Sequence, residues 1–499
     1  MSAVGAQVRT KSTALRARFS KDGRAALGRN AGRIRLFPAV GLALAAGLVA
    51  AFAAYGFLRW ITPIDEAKAA ASIDVTRVAL TVVAGVGGVV ALVIAYRRQR
   101  DLEQSRFVER FGAAAAQLGA TDVAVRIAGV YAMAGVADES DGLRRQQCID
   151  VLCGYLRLPY SPELGGNHQT KRVQKRKIGD DTGEDEDHFE YRQNDREVRA
   201  TIVRVIADHL RPEAECSWSN SDFDFRTAHL EYADFSNTTF AGTSRFDGTT
   251  FISNARFTEA TFVGITRFSG ATFTSSAWFG GATFTRTAWF DKVTFTDKAS
   301  FAGIVTSVSD EGAPLTWSEV VTFNEDARFD EAVFTGDAWF SGATFSHTAE
   351  FSKVTFTGDA HFDAATFTGD AWFRRTTFSG VTGFCEVTFI SVAWFTEVTF
   401  SSVTRFDKAN FGPARFNRGT FNGVIRFIGV TFASDAMFEA VAFANQTVFT
   451  GADFGSERVS FTKPRQWGPP PPAFDWDTDS TSKPTNIEPL TWPPQLAAS

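Results

Sequence analysis

Between Phe235 and Phe454 a phenylalanine returns every five or six residues, and the two steps alternate to give a unit of eleven. The series starts Phe235, Phe240, Phe246, Phe251, Phe257, runs to Phe301, resumes at Phe323 and continues to Phe449 and Phe454. Two positions before each ring stands a small or β-branched residue, as with Ala338 before Phe340 and Val354 before Phe356. In extended chain, residues two apart point to the same side. Ring and small partner therefore face inward together, and flanks such as Thr355 and Thr357, or Arg405 and Asp407, face outward. Turn formers (Ser341-Gly342, Gly358-Asp359, Gly369-Asp370) separate the short strands. Neither a helix nor a long antiparallel strand repeats an aromatic in this way. A fixed short period marks a solenoid whose units stack on one another.

The pattern predicts a squared coil of about twenty-two residues with rings stacked along its axis. Roughly ten such coils at ~4.8 Å per layer would stack to ~50 Å. Each buried ring contributes about 1.5–3 kcal/mol of transfer energy, and stacking adds about 0.5–1.5 kcal/mol. The register lapses where Gly312-Ala313-Pro314 falls, so 305–319 is expected to leave the coil as a loop.

Upstream the pattern changes. Two apolar runs, 36–58 and 78–96, are each long enough to cross a bilayer. Arg59 and Trp60 follow the first, and Arg97, Arg98 and Arg100 follow the second. Residues 1–35 carry nine Lys or Arg against the single Asp22, which predicts a disordered basic arm beside anionic lipid. With basic flanks outside both runs, the positive-inside rule puts both termini in the cytoplasm and makes 59–77 a short external loop. The expectation is a two-span inner-membrane protein with the bilayer as one partner.

Residues 97–160 read as helical, with Phe107, Phe111, Ala114 and Leu118 on one stripe and Thr121-Asp122 as a helix start. Residues 161–195 are hydrophilic and sorted by sign, Lys171 to Lys177 preceding Asp180 to Asp187. They are expected to be a disordered insertion. An amphipathic helix within 196–220 presents Val198, Ile202, Val205 and Ile206 to one side and would cover the first coil, whose edge is otherwise open to pairing. The coil occupies 221–461. The remainder, 462–499, holds Trp467, a proline run from Pro469 to Pro472, and Phe474. It is expected to plug the last coil and end, from Ser480, in an unstructured tail.

Units such as Ala343-Thr344-Phe345 and Ala365-Thr366-Phe367 resemble the pentapeptide-repeat family, in a phenylalanine-rich variant where every second unit gains a residue. The resemblance implies a right-handed, four-sided parallel β-helix. Glu109-Arg110-Phe111, Gln117-Leu118-Gly119, the run Val125 to Ala132 and the run Val151 to Arg157 resemble the helical segment of bacterial membrane-anchored members. That family brings no defined activity with it.

Chemistry is sparse. The four cysteines (Cys148, Cys153, Cys216, Cys385) have no paired metal spacing and read as free thiols. The six histidines are scattered, and no phosphate-binding glycine loop is present. No catalytic residue, cofactor, metal, nucleic acid or small-molecule substrate is expected. One coil apart, Asp337 and Asp359 form an acidic pair of the kind used by polysaccharide-acting β-helix enzymes, but they also read as corner residues. Over 221–460 there are 17 Lys or Arg against 27 Asp or Glu. Some pentapeptide-repeat proteins with such an acidic rod resemble duplex DNA and bind topoisomerase, so the resemblance implies, as an alternative function, a DNA-mimic regulator of a topoisomerase. The leading expectation is a non-enzymatic cytoplasmic scaffold for a protein partner. Its candidate interaction face comprises Arg256, Trp278, Arg267, Trp289, Trp339, Trp372 and Trp394, residue types enriched at interfaces.

Overall fold

The computed structural model describes residues 71–160, 171–178, 183–190, 195–308, 314–318 and 320–497, with Pro162 and scattered positions between 45 and 60. Contacts divide the chain into two compact units, Met1–Glu109 and Arg110–Ser499. Helix α1 is Ala71–Leu118. Helices α2 (Val123–Asp138), α3 (Leu143–Leu156) and α4 (Asp195–Leu210) follow it before the repeat.

The two-span expectation is corrected. Among the described residues no helix is long and apolar enough to cross a membrane. Charge was expected to end the second run, yet α1 continues unbroken through Arg97, Arg98, Arg100, Asp101 and Glu103. The apolar stretch is thus one part of a longer element with a charged second half. The run 36–58 and the basic arm lie almost wholly outside the described residues. Inner-membrane location and cytoplasmic termini rested on the spans and are withdrawn with them.

From Phe223 the chain winds as a parallel β-solenoid of two-residue strands. Twelve strands stack on the first face, eleven on the second, and nine on each of the third and fourth. Successive turns pair in parallel, Thr272 with Thr294 and Phe273 with Phe295 on the second face, for example. The phenylalanines from Phe223 to Phe454 inside the coil are fully or almost fully buried. Rings one coil apart on one face lie nearly parallel, as in Phe345 and Phe367 at 4.6 Å or Phe351 and Phe373 at 5.0 Å. Neighbouring columns meet edge to face, Phe351 and Phe362 at 5.5 Å and 89°. Both arrangements suit the aromatic quadrupole. Phe421 departs from its column, lying at 63° to Phe400. The small Gly419 stands where Val398 and Val441 stand in adjacent coils, and the turned ring lies against it.

The alternating steps produce two kinds of corner. In the five-residue step from the first face to the second, the residue after the turn is left-handed, with φ 56–59° at Lys292, Glu331, Lys353, Arg375, Glu397 and Arg418. In the six-residue step from the second face to the third, the extra residue brings backbones of adjacent layers close. A Cβ on Gly358 would lie 2.6 Å from the Gly336 carbonyl, so glycine is required there.

The excursion read as a loop is a hairpin of Ile304–Val308 with Pro314–Ser318. The insertion expected to be disordered holds a second hairpin, Lys171–Ile178 with Gly183–Glu190. Its basic and acidic runs lie opposite each other, and Lys175 Nζ is 2.6 Å from Glu186. Cross-strand ion pairing supplies the order that composition alone does not reveal. The tail is likewise ordered past Ser480. Ile487–Glu488 adds the last strand of the first face, and Trp492 meets Phe474 edge-on at 5.0 Å.

At the opposite end the helices cover the first coil. Gln146 donates to the Asp222 carbonyl at 2.7 Å and accepts from the Asp222 amide at 2.8 Å. Arg199 on α4 donates to the His229 carbonyl at 3.3 Å. Thus α3 and α4 supply partners to first-coil backbone groups.

Candidate interaction faces

The seven residues singled out from sequence do not share one face. Arg267, Trp289, Trp372 and Trp394 stand on the first face, and Arg256, Trp278 and Trp339 on the third. The chain visits the four faces in order, so these two lie on opposite sides of the coil.

The first-face column reads Arg245, Arg267, Trp289, Arg328, Glu350, Trp372, Trp394, Arg415. Trp289 is held between two guanidinium groups, Arg267 at 5.4 Å and Arg328 at 4.7 Å from the ring centre. Trp372 and Trp394 stack at 4.9 Å and 10°. On the third face Lys298 lies 5.3 Å from Trp278 and 4.7 Å from Trp339, and Trp339 stacks on His361 at 4.1 Å. These indoles are half-buried. The second and fourth faces differ: outward positions repeat threonine, Thr355, Thr377 and Thr399 on the second and Thr344, Thr366 and Thr388 on the fourth.

Arg328, Glu350, Arg415, Lys298 and His361 were missed. The coil period does point to most of them, but the excursion displaces it: Trp289 registers with Arg328 rather than with the residue twenty-two positions on. Arg328 gathers three carboxylates, Asp291 at 3.7 Å, Asp330 at 3.4 Å and Glu350 at 3.3 Å. A proton shared with Asp330, and then burial, push the Glu350 carboxyl up to about 7. A carboxyl raised in the folded state stabilises while protonated, fully below its ordinary pKa of ~4.3, and loses that contribution as pH climbs through about 7. Melting temperature should therefore fall between these pH values in the native protein. Glu350→Gln should flatten this fall, as followed by thermal melts across the pH range.

The acidic pair has structural work. Asp337 accepts from the Asp359 amide at 3.1 Å, and Asp359 accepts from the Val381 amide at 2.8 Å. Each carboxylate ties its corner to the next layer. All four cysteines are free, and burial pushes the Cys148 and Cys153 thiols up to about 11 and about 12. Among the described residues no group of three or more His, Cys, Asp or Glu could hold a metal ion.

The family model described as pentapeptide repeats (9 copies) matches residues 225–272, 257–305, 321–355 and 340–388. The matched segments are similar to pentapeptide repeats, and the coil that contains them is a parallel β-solenoid. No curated protein and no solved structure matches the chain. The matched segments include the layers that carry Arg256, Arg267, Trp278, Trp289, Trp339 and Trp372, whereas Trp394 and Arg415 lie beyond them. No catalytic family is identified.

Proposed function

We propose that the pentapeptide-repeat solenoid is a non-enzymatic scaffold that docks a protein partner on its first face. The supporting observation is the continuous column from Arg245 to Arg415, in which arginines and tryptophans are held in register on a stiff parallel ladder. A preorganised surface loses little side-chain freedom on binding, and Arg and Trp are enriched among residues that dominate binding energy. Threonine columns on the neighbouring faces set this surface apart.

The alternative of a DNA mimic has the net acidity of the solenoid in its favour. Against it, arginines punctuate the first and third faces, Arg245, Arg267, Arg328 and Arg415 on one and Arg256, Arg405 and Arg426 on the other. An unbroken acidic strip, such as duplex phosphate presents, does not run along either.

The test is site-specific photocrosslinking in cells, with the probe at Ser269 or Ser352 on the first face or at Thr357 on the second. First-face probes should capture a discrete protein, and the double variant Arg267→Glu, Trp372→Ala should abolish capture while leaving the melting profile of the solenoid in place. Equal capture from both faces, or capture indifferent to the double variant, would remove the first face as the docking surface.

A further inference from the structure

The solenoid is covered at both ends, by helices at one and by the Trp467, Phe474, Trp476 and Trp492 cluster at the other. Among the described residues, the two hairpins outside it present further strand edges. In Ile304–Val308 with Pro314–Ser318 the register shifts twice, and a proline opens the second strand. Bulges and proline are devices that spoil an edge for further pairing.

The hairpin of Lys171–Ile178 and Gly183–Glu190 has neither device. Eight residues on each strand pair in unbroken antiparallel register, and neither strand contains proline. Among the described residues the sheet has two strands, so each presents an outer edge. Its apolar members are Val173, Ile178 and Phe189, too few to form a core, and an isolated two-stranded ribbon is marginal in water. Charge divides by strand. Lys171, Arg172, Lys175, Arg176 and Lys177 stand on one, and Glu184, Asp185, Glu186, Asp187 and Glu190 on the other.

We propose that this hairpin is a self-association element, in which the basic strand of one copy pairs edge to edge with the acidic strand of a second copy. Charged edges ordinarily prevent pairing because like signs meet. Here basic-to-basic and acidic-to-acidic approaches are repelled, whereas basic-to-acidic continues the alternation already present within the hairpin. Each of the two contacting strands then gains a second ladder, and the marginal ribbon becomes part of a four-stranded sheet. The two contacting edges differ, so the contact is heterologous. A pair of copies retains one free basic and one free acidic edge and can add further copies stepwise.

Sedimentation of the full chain over a concentration series tests this. At about 0.1 M salt, with a screening length of ~10 Å, the average mass should rise with concentration. At about 1 M salt, with ~3 Å, it should return to that of one chain. Two variants separate this contact from any other. One neutralises the acidic strand (Glu184→Gln, Asp185→Asn, Glu186→Gln, Asp187→Asn, Glu190→Gln). The other neutralises the basic strand (Lys171→Gln, Arg172→Gln, Lys175→Gln, Arg176→Gln, Lys177→Gln). Each alone should stay monomeric, and an equimolar mixture should stop at the dimer, since only one complementary edge pair remains. A native chain that is monomeric throughout would overturn the proposal. So would association that persists in either variant alone, or variants that fail to complement each other.

Discussion

Phe362→Ala is expected to lower the stability of the solenoid by about 3–5 kcal/mol. Phe362 is fully buried, stacks on Phe340 and Phe384 at 4.9 Å each, and meets Phe351 and Phe373 edge-on at 5.5 Å. Truncation removes transfer energy and leaves a cavity bordered by rings that cannot close on it, because each is fixed by its own backbone rung. A solenoid is a chain of nearest-neighbour interfaces. A lesion in mid-coil therefore weakens the coupling between two otherwise intact blocks. Urea unfolding of the variant should show a broader transition or two steps where the native protein shows one. The same truncation at Phe454, beside the C-terminal cluster, should leave a single main transition because only one end is loosened. If both substitutions cost the same and both transitions stay single, the one-dimensional account of stability fails.

The architecture was legible because one physical requirement, a ring inside every short strand, recurs at a fixed interval. Phe235 to Phe454 therefore declares strand, corner and stack together. The alternating step length also foretold two kinds of corner, although the left-handed corner occupied by Lys292 and Glu331 leaves no composition signal. Face assignment was less legible. Trp278 and Trp289 are eleven residues apart in sequence, half a coil, and so lie on opposite sides, which inspection of outward residues alone does not separate. The carboxylates around Arg328 come together only after the excursion is subtracted from the period. The charge-sorted hairpin was misread because the same composition suits a solvated chain, and only cross-strand register makes it a strand pair. Ile487 and Trp492 belong to no repeat; Ile487 finds its place in register with Val459, and Trp492 against Phe461 and Phe474. In α1, residue type suggested a boundary at Arg97 that the helical backbone does not observe.

Asp195→Ala should cost about 3–5 kcal/mol, the range for removing one partner of a buried ion pair, and the loss should fall on the helical cap. Asp195 opens α4 and accepts from Arg126 on α2 at 2.6 Å and from the Tyr155 hydroxyl on α3 at 2.6 Å, with Arg199 3.7 Å away. Arg126 is fully buried. One carboxylate thus neutralises guanidinium groups from two helices and joins all three, and alanine leaves those charges in a largely buried site. Asp195→Asn retains the shape and an acceptor for Tyr155 but removes the charge, so it should fall between native and alanine. Arg126→Met combined with Asp195→Leu should recover part of the loss, since an apolar pair needs no counterion there. Helix loss by circular dichroism should precede solenoid melting in Asp195→Ala, because the ring stack does not depend on this carboxylate. Loss of the cap would then bare the first-coil edge at Phe223 and His229, and the variant should aggregate once the helices have melted. Simultaneous loss of helix and solenoid signal, or Asp195→Leu alone matching the double variant, would show that the three-helix junction is not what holds the cap on the first coil.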